Sequence, residues 1–182
     1  MATDADFDTT WAFIRDQETG GDPTGALHTD PSDPGGTTKW GISQREYPDL
    51  DVADLTEADA KALCYTDYWQ ASGADQLAMP LAEVVTDTAF LEGVGVAKQL
   101  LASSGGDVNT YLAQRAAKLE ALAAAKPSEA GFLAGWLQRV DDLAQAIGTA
   151  GGVSAGVLVL LAVALALWAL AHRPAPARGR RV

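Results

Sequence analysis

Residues 18–43 read ETGGDPTGALHTDPSDPGGTTKWGIS, and this stretch decides how the chain is divided. Gly, Pro and Asp crowd the part from Thr19 to Gly36, which is turn chemistry: Gly supplies positive φ, and Asp and Pro fold the chain locally. Irregular connections this long are more often functional or disordered than idle. Upstream, Trp11 and Ile14 share one face of a short helix predicted over about 8–18, so Glu18 stands at its C-terminal end. There the helix dipole is negative and the adjoining face is apolar, two effects that disfavour a charged carboxylate. A glutamate so placed can hold a proton near neutral pH and act as a general acid. The plainer alternative is a surface charge at a helix end.

Downstream, helical periodicity dominates and strand alternation is almost absent, so the fold class is mostly α. Thr56 with Asp59 forms a capping-box variant that opens a helix running through Leu63 to Trp69. A central core helix is predicted over about 81–101, striped by Leu81, Val84, Val85, Thr88 and Leu91. After a Ser-Ser-Gly-Gly break at 103–106, Val108, Tyr111, Leu112, Arg115, Leu119 and Leu122 recur at helical spacing until Lys126-Pro127 stops them. Ser128 is expected to cap the next helix, in which Phe132, Trp136, Val140, Leu143 and Ile147 form a packing seam.

The chain of 182 residues carries a net charge of −11 and a single cysteine, Cys64. A core forms at this length without disulfides or metal. The acidity argues against nucleic acid, whose binders neutralise phosphates with clustered Lys and Arg. His28 and His172 stand alone, so no metal and no cofactor is expected. Residues 1–150 hold nine Lys and Arg against all 24 Asp and Glu, whereas 151–182 hold Arg173, Arg178, Arg180 and Arg181 and no acid. Between these parts, Val153 to Ala171 is an uncharged apolar run of 19 residues. As a helix it would be about 28 Å long, close to the hydrocarbon core of a bilayer.

The expected organisation is therefore a helical domain over 1–147, a Gly-rich lead-in and single transmembrane helix over 148–172, and a basic cytoplasmic tail over 173–182. A helix buried inside a protein assembly is the alternative for the apolar run. Gly148, Gly152 and Gly156 would line one helix face and permit self-association. The start, MATDADFDTTW, has neither the basic nor the apolar region of a cleavable signal peptide. The domain would then lie outside the membrane, or be part of a particle assembled in the cytoplasm.

Glu18-Thr19-Gly20-Gly21 followed by Asp30-Pro31-Ser32-Asp33-Pro34-Gly35-Gly36-Thr37-Thr38-Lys39-Trp40-Gly41-Ile42-Ser43 resembles a known signature, E-G-G … D-P-x-D-P-G-G-x-T-x-x-G-I-[ST]. It belongs to the glycoside hydrolase family 108 muramidases, lysozyme-like peptidoglycan hydrolases frequent as phage endolysins. The segment ending in Tyr68-Trp69, the stretch Thr86-Asp87-Thr88-Ala89-Phe90 with Gly93, and FLAGWLQRV at 132–140 are similar to further family segments, so the resemblance spans about 11–141. Thr19 stands where the family usually has glycine, and GDPTGALHT lengthens the interval that follows.

The resemblance implies a lysozyme-like helical fold, peptidoglycan as partner and substrate, and Glu18 as general acid. A muramidase also needs a group on the opposite face of the sugar. That role falls to Asp33 as base or charge stabiliser, with Asp30 its competitor, and to Thr38 as a hydroxyl that positions water. For Asp33 an Asx-turn is the structural alternative. Trp40 and Trp69 are candidates for stacking on sugar rings or else are core, and Lys39 either meets a muropeptide carboxylate or is solvated. Two other functions fit the same pattern: a lytic transglycosylase, and a non-catalytic virion protein that keeps the fold to grip glycan.

Overall fold

A computed structural model describes residues 1–29 and 36–148. The apolar run Val153–Ala171, the basic tail, Gly152, Gly156, Asp30 and Asp33 lie outside the described residues. Among the described residues no helix is long and apolar enough to cross a membrane.

The structure is mostly α, as the periodicity implies. Helix α1 spans Asp4–Thr19 and begins a turn earlier than predicted. The cause is a capping box: the Asp6 N–H donates to Thr3 Oγ1, and the Thr3 N–H donates to Asp6 Oδ2. At the other end Gly20 takes the left-handed conformation, and its N–H donates to the Asp16 carbonyl. A small hairpin, β1 Thr38–Lys39 with β2 Ile42–Ser43, follows the loop, and an isolated bridge joins His28 to Thr38. Helix α2, Glu57–Cys64, opens on the predicted Thr56–Asp59 box and runs into one π-helical turn, Tyr65–Gln70.

The helix predicted over 81–101 is two helices, α3 Leu81–Glu92 and α4 Val94–Ser104. Gly93, at φ 93°, breaks them in a conformation that L side chains rarely adopt, and its carbonyl accepts the N–H groups of Val96 and Ala97 in the first turn of α4. Helix α5 is Val108–Ala125, and α6 is Leu133–Ala146. Ser128 does not cap α6, whose first turn grows directly from a short 3₁₀ turn at Ala130–Phe132. Of the predicted seam on α6, Val140 and Leu143 are buried, but Phe132 is 60% exposed and stacks on Trp136.

Helix α3 lies at the centre and packs on α1, α4 and α5. All eight residues from Ala82 to Ala89 are buried, polar and charged ones included, so this helix has no solvent face along that length. The apolar core around it includes Phe7, Trp11, Ile14, Val84, Val85, Tyr111, Leu119, Val140 and Leu143.

Glu83, one turn ahead of Asp87 on α3, is 5% exposed. Burial pushes its carboxyl up to about 7, and the Asp87 carboxylate adds to the effect. A value raised by folding gives stability that is present below the unfolded value of 4.5 and is lost as pH rises through 7. Glu83→Gln is therefore expected to exceed the wild type in stability at about pH 8 by about 1–3 kcal/mol. The gap should close near about pH 4. Thermal unfolding of both proteins across that range reads the difference, and a gap independent of pH would exclude this account.

Candidate active site

The β1–β2 turn consists of Trp40 and Gly41, both at positive φ, 56° and 78°, as a two-residue turn of type I′ requires. That conformation is uncommon for a bulky residue. Trp40 is held in it by burial: its side chain is sealed in the core, its Nε1–H donates to the Leu55 carbonyl, and its backbone N–H donates to the Gly25 carbonyl. The indole lies so close over Gly25 that a Cβ there would stand 2.4 Å from the ring. On the other side of the turn, a Cβ on Gly41 would stand 2.6 Å from Glu18 Cγ and 2.9 Å from its carboxyl carbon. The hairpin tip is thus pressed against Glu18, and only glycine leaves the room.

Glu18 is the penultimate residue of α1, as predicted, and its side chain is 20% exposed. Its surroundings differ from the apolar setting the sequence suggests, because the guanidinium of Arg139, on α6, donates through Nη1 to Glu18 Oε1. The opposite edge of the same guanidinium meets Asp87, with Nε 2.9 Å and Nη2 2.8 Å from Oδ1. Arg115, on α5, donates through Nη1 to the other Asp87 oxygen at 2.7 Å and through Nε to Glu92 Oε1 at 2.7 Å. Lys118 reaches Glu92 Oε2 at 3.3 Å. The chain of charges therefore runs Lys118, Glu92, Arg115, Asp87, Arg139, Glu18. Burial alone would raise the Asp87 carboxyl, but Arg139 and Arg115 outweigh it and hold Asp87 below its ordinary value. Burial likewise opposes the charge on Arg139, and Asp87 and Glu18 more than restore it.

The other predicted residues fall into three groups. Asp30 and Asp33 are outside the described residues, whose flanks approach each other where the Thr29 and Thr37 hydroxyls lie 3.5 Å apart. Thr38 is on β1, its backbone paired with His28 and its register opposite Ser43. Lys39 spends its ammonium on the Ala53 carbonyl at 2.8 Å. For Trp40 and Trp69 the structure shows the core alternative and not sugar stacking: both are buried, Trp69 2% exposed and packed on Phe7, so neither has a free face for a sugar ring. Cys64 is fully buried, and its thiol is pushed up by burial and by the carboxylates of Asp87, Asp67 and Glu18, which makes it packing material rather than a nucleophile. Among the described residues no group of three His, Cys, Asp or Glu is placed to hold a metal ion.

Sequence reasoning missed Arg139, Asp87 and Gly41 as parts of one site. The only local signal for Arg139 and Asp87 was their place in FLAGWLQRV and TDTAF, the two distant segments that carry the resemblance.

Gly41→Ala combines a strained φ with a collision against Glu18, whereas Gly105→Ala meets only the strain, at φ 61° with open space. Strain of this kind costs about 1–3 kcal/mol. Denaturant titration is expected to show the larger loss at Gly41, and equal losses would mean that Glu18 yields freely.

Residues 13–93 match the family described as glycosyl hydrolase 108. No curated protein matches the chain. Among solved structures, that of Brucella abortus SagA is similar at a TM-score of 0.63 and 20% identity, over 79% of this chain and 95% of that one. At that identity the likeness is one of fold. The stretch similar to the glycosyl hydrolase 108 family is therefore the one that carries Glu18, the hairpin and Asp87.

Proposed function

We propose that the protein is a peptidoglycan hydrolase that cleaves the β-1,4 bond between N-acetylmuramic acid and N-acetylglucosamine. The observation that carries this reading is Glu18: a partly exposed carboxyl wedged between the end of α1 and the hairpin tip, held from behind by a buried arginine. The match of residues 13–93 to a glycoside hydrolase family supports it. In this reading Glu18 gives its proton to the glycosidic oxygen as the bond to the anomeric carbon breaks. Asp33 or Asp30, with Thr38, serves the opposite face of the sugar, where water completes hydrolysis.

The apolar run Val153–Ala171 belongs to the same proposal as a tether that keeps the domain beside the cell wall, in a membrane or in a particle. The described domain is acidic and the wall is anionic, so free encounter is slowed by like charge. A tethered enzyme needs less electrostatic capture.

The test is release of soluble muropeptides from purified peptidoglycan by the 182-residue chain and by Glu18→Gln, with product masses recorded. Gln keeps the shape and removes the proton. The variant is expected to be slower by about a hundredfold or more, the range for loss of a general acid. Products one water heavier than anhydro-sugars mark hydrolysis, and anhydro products would make the protein a transglycosylase. Equal inertness of both proteins, with binding to the sacculus retained, would leave a wall-gripping component in place of an enzyme.

A further inference from the structure

Glu18 can aim a proton only if its carboxyl keeps one orientation, and it sits on the last turn of a helix with part of its surface in solvent. What holds it is the guanidinium of Arg139, which orients a carboxylate only if it is itself fixed. Its Nε donates to Asp87 Oδ1, with Nη2 at ion-pair distance from the same oxygen, which leaves Nη1 for Glu18. Asp87 in turn is locked through its second oxygen by Arg115, and Arg115 is anchored through Nε on Glu92. Each member uses a different edge or atom for each neighbour, so none can turn without breaking a charged bond.

Two features separate this arrangement from a mere clasp between helices. Asp87 is fully buried, so it touches no substrate and any effect it has on turnover passes through Arg139. Arg139 also serves two carboxylates with one planar fork, a task that the point charge of lysine cannot perform.

We propose that Arg139 and Asp87 are positioning residues that aim the Glu18 carboxyl, Asp87 acting through Arg139. The inference rests on the reading of Glu18 as the acid.

The experiment measures kcat and KM on soluble glycan fragments for the full chain, Glu18→Gln, Arg139→Lys and the double variant, with the melting temperature of each. Arg139→Lys keeps the charge and loses the fork. It is expected to remain folded and to lose about a hundredfold in kcat, the scale of a displacement of about 1 Å at the reacting group, with KM within about twofold. In the Glu18→Gln background the same change should cost nothing further, because there is no acid left to aim. Wild-type kcat in folded Arg139→Lys would overturn the proposal. So would a loss confined to KM, or a double variant about a hundredfold below Glu18→Gln. If Arg139→Lys does not fold, Asp87→Asn takes its place: a tenfold or greater fall in kcat at constant KM supports the proposal, and unchanged kcat overturns it. Full activity of Glu18→Gln would instead remove the reading on which the inference stands, whatever the arginine variants do.

Discussion

A carboxylate without solvent, Asp87, is the constraint around which the rest is arranged. It sits midway along a helix whose residues from Ala82 to Ala89 are all buried. A charge at that depth forfeits several kcal/mol of hydration, and only complete pairing makes it tolerable. The pairing comes from two guanidiniums on two later helices, one for each oxygen. Removing one partner from a buried pair of this kind costs about 3–5 kcal/mol, far more than any surface ion pair. The requirement therefore fixes α5 and α6 against α3, and through the remaining nitrogen of Arg139 it fixes the end of α1 as well.

The hairpin meets the same acid from the opposite side, and by steric means. Positive φ at Trp40 is unfavourable in isolation, but the indole is enclosed, hydrogen-bonded to Leu55 and laid over Gly25. Burial of a large aromatic ring, worth about 1.5–3 kcal/mol, offsets strain of similar size. The turn then delivers Gly41 to Glu18 with no side chain between them. Three glycine-dependent features, at Gly20, Gly25 and Gly41, thus lie within one stretch, so a run that reads as loose turn chemistry is a tightly fitted piece of scaffold.

What was legible in the sequence was local. The Thr56–Asp59 box, the end of α1 at Glu18 and the stop near Lys126 follow from contacts within a few residues, and the structure has all three. The early start of α1 is equally local: Thr3 and Asp6 form the same Thr-x-x-Asp box as Thr56 and Asp59, one turn ahead of the predicted start. Gly93 was visible too, but an apolar stripe on either side of it concealed a break that depends on a single φ. The site was legible only as far as Glu18. Its partner lies 121 residues away, and Asp87 lies 52 residues before that partner, separations at which no periodicity carries information. The tryptophans were left between two readings for a related reason: an aromatic ring that suits a sugar equally suits a core, and burial is decided by neighbours from elsewhere in the chain.

The family-like stretch ends at residue 93, before either arginine. It contains both carboxylates, Glu18 and Asp87, and none of the positive charge that neutralises them in the folded protein. The stretch that carries the resemblance is therefore not balanced in charge by itself. A fragment cut after α3 would lack both arginines, so Asp87 would have to be hydrated or neutralised by a proton. Synthesised from the N-terminus, the chain holds the full set of partners for Asp87 and Glu18 only once α6 has emerged.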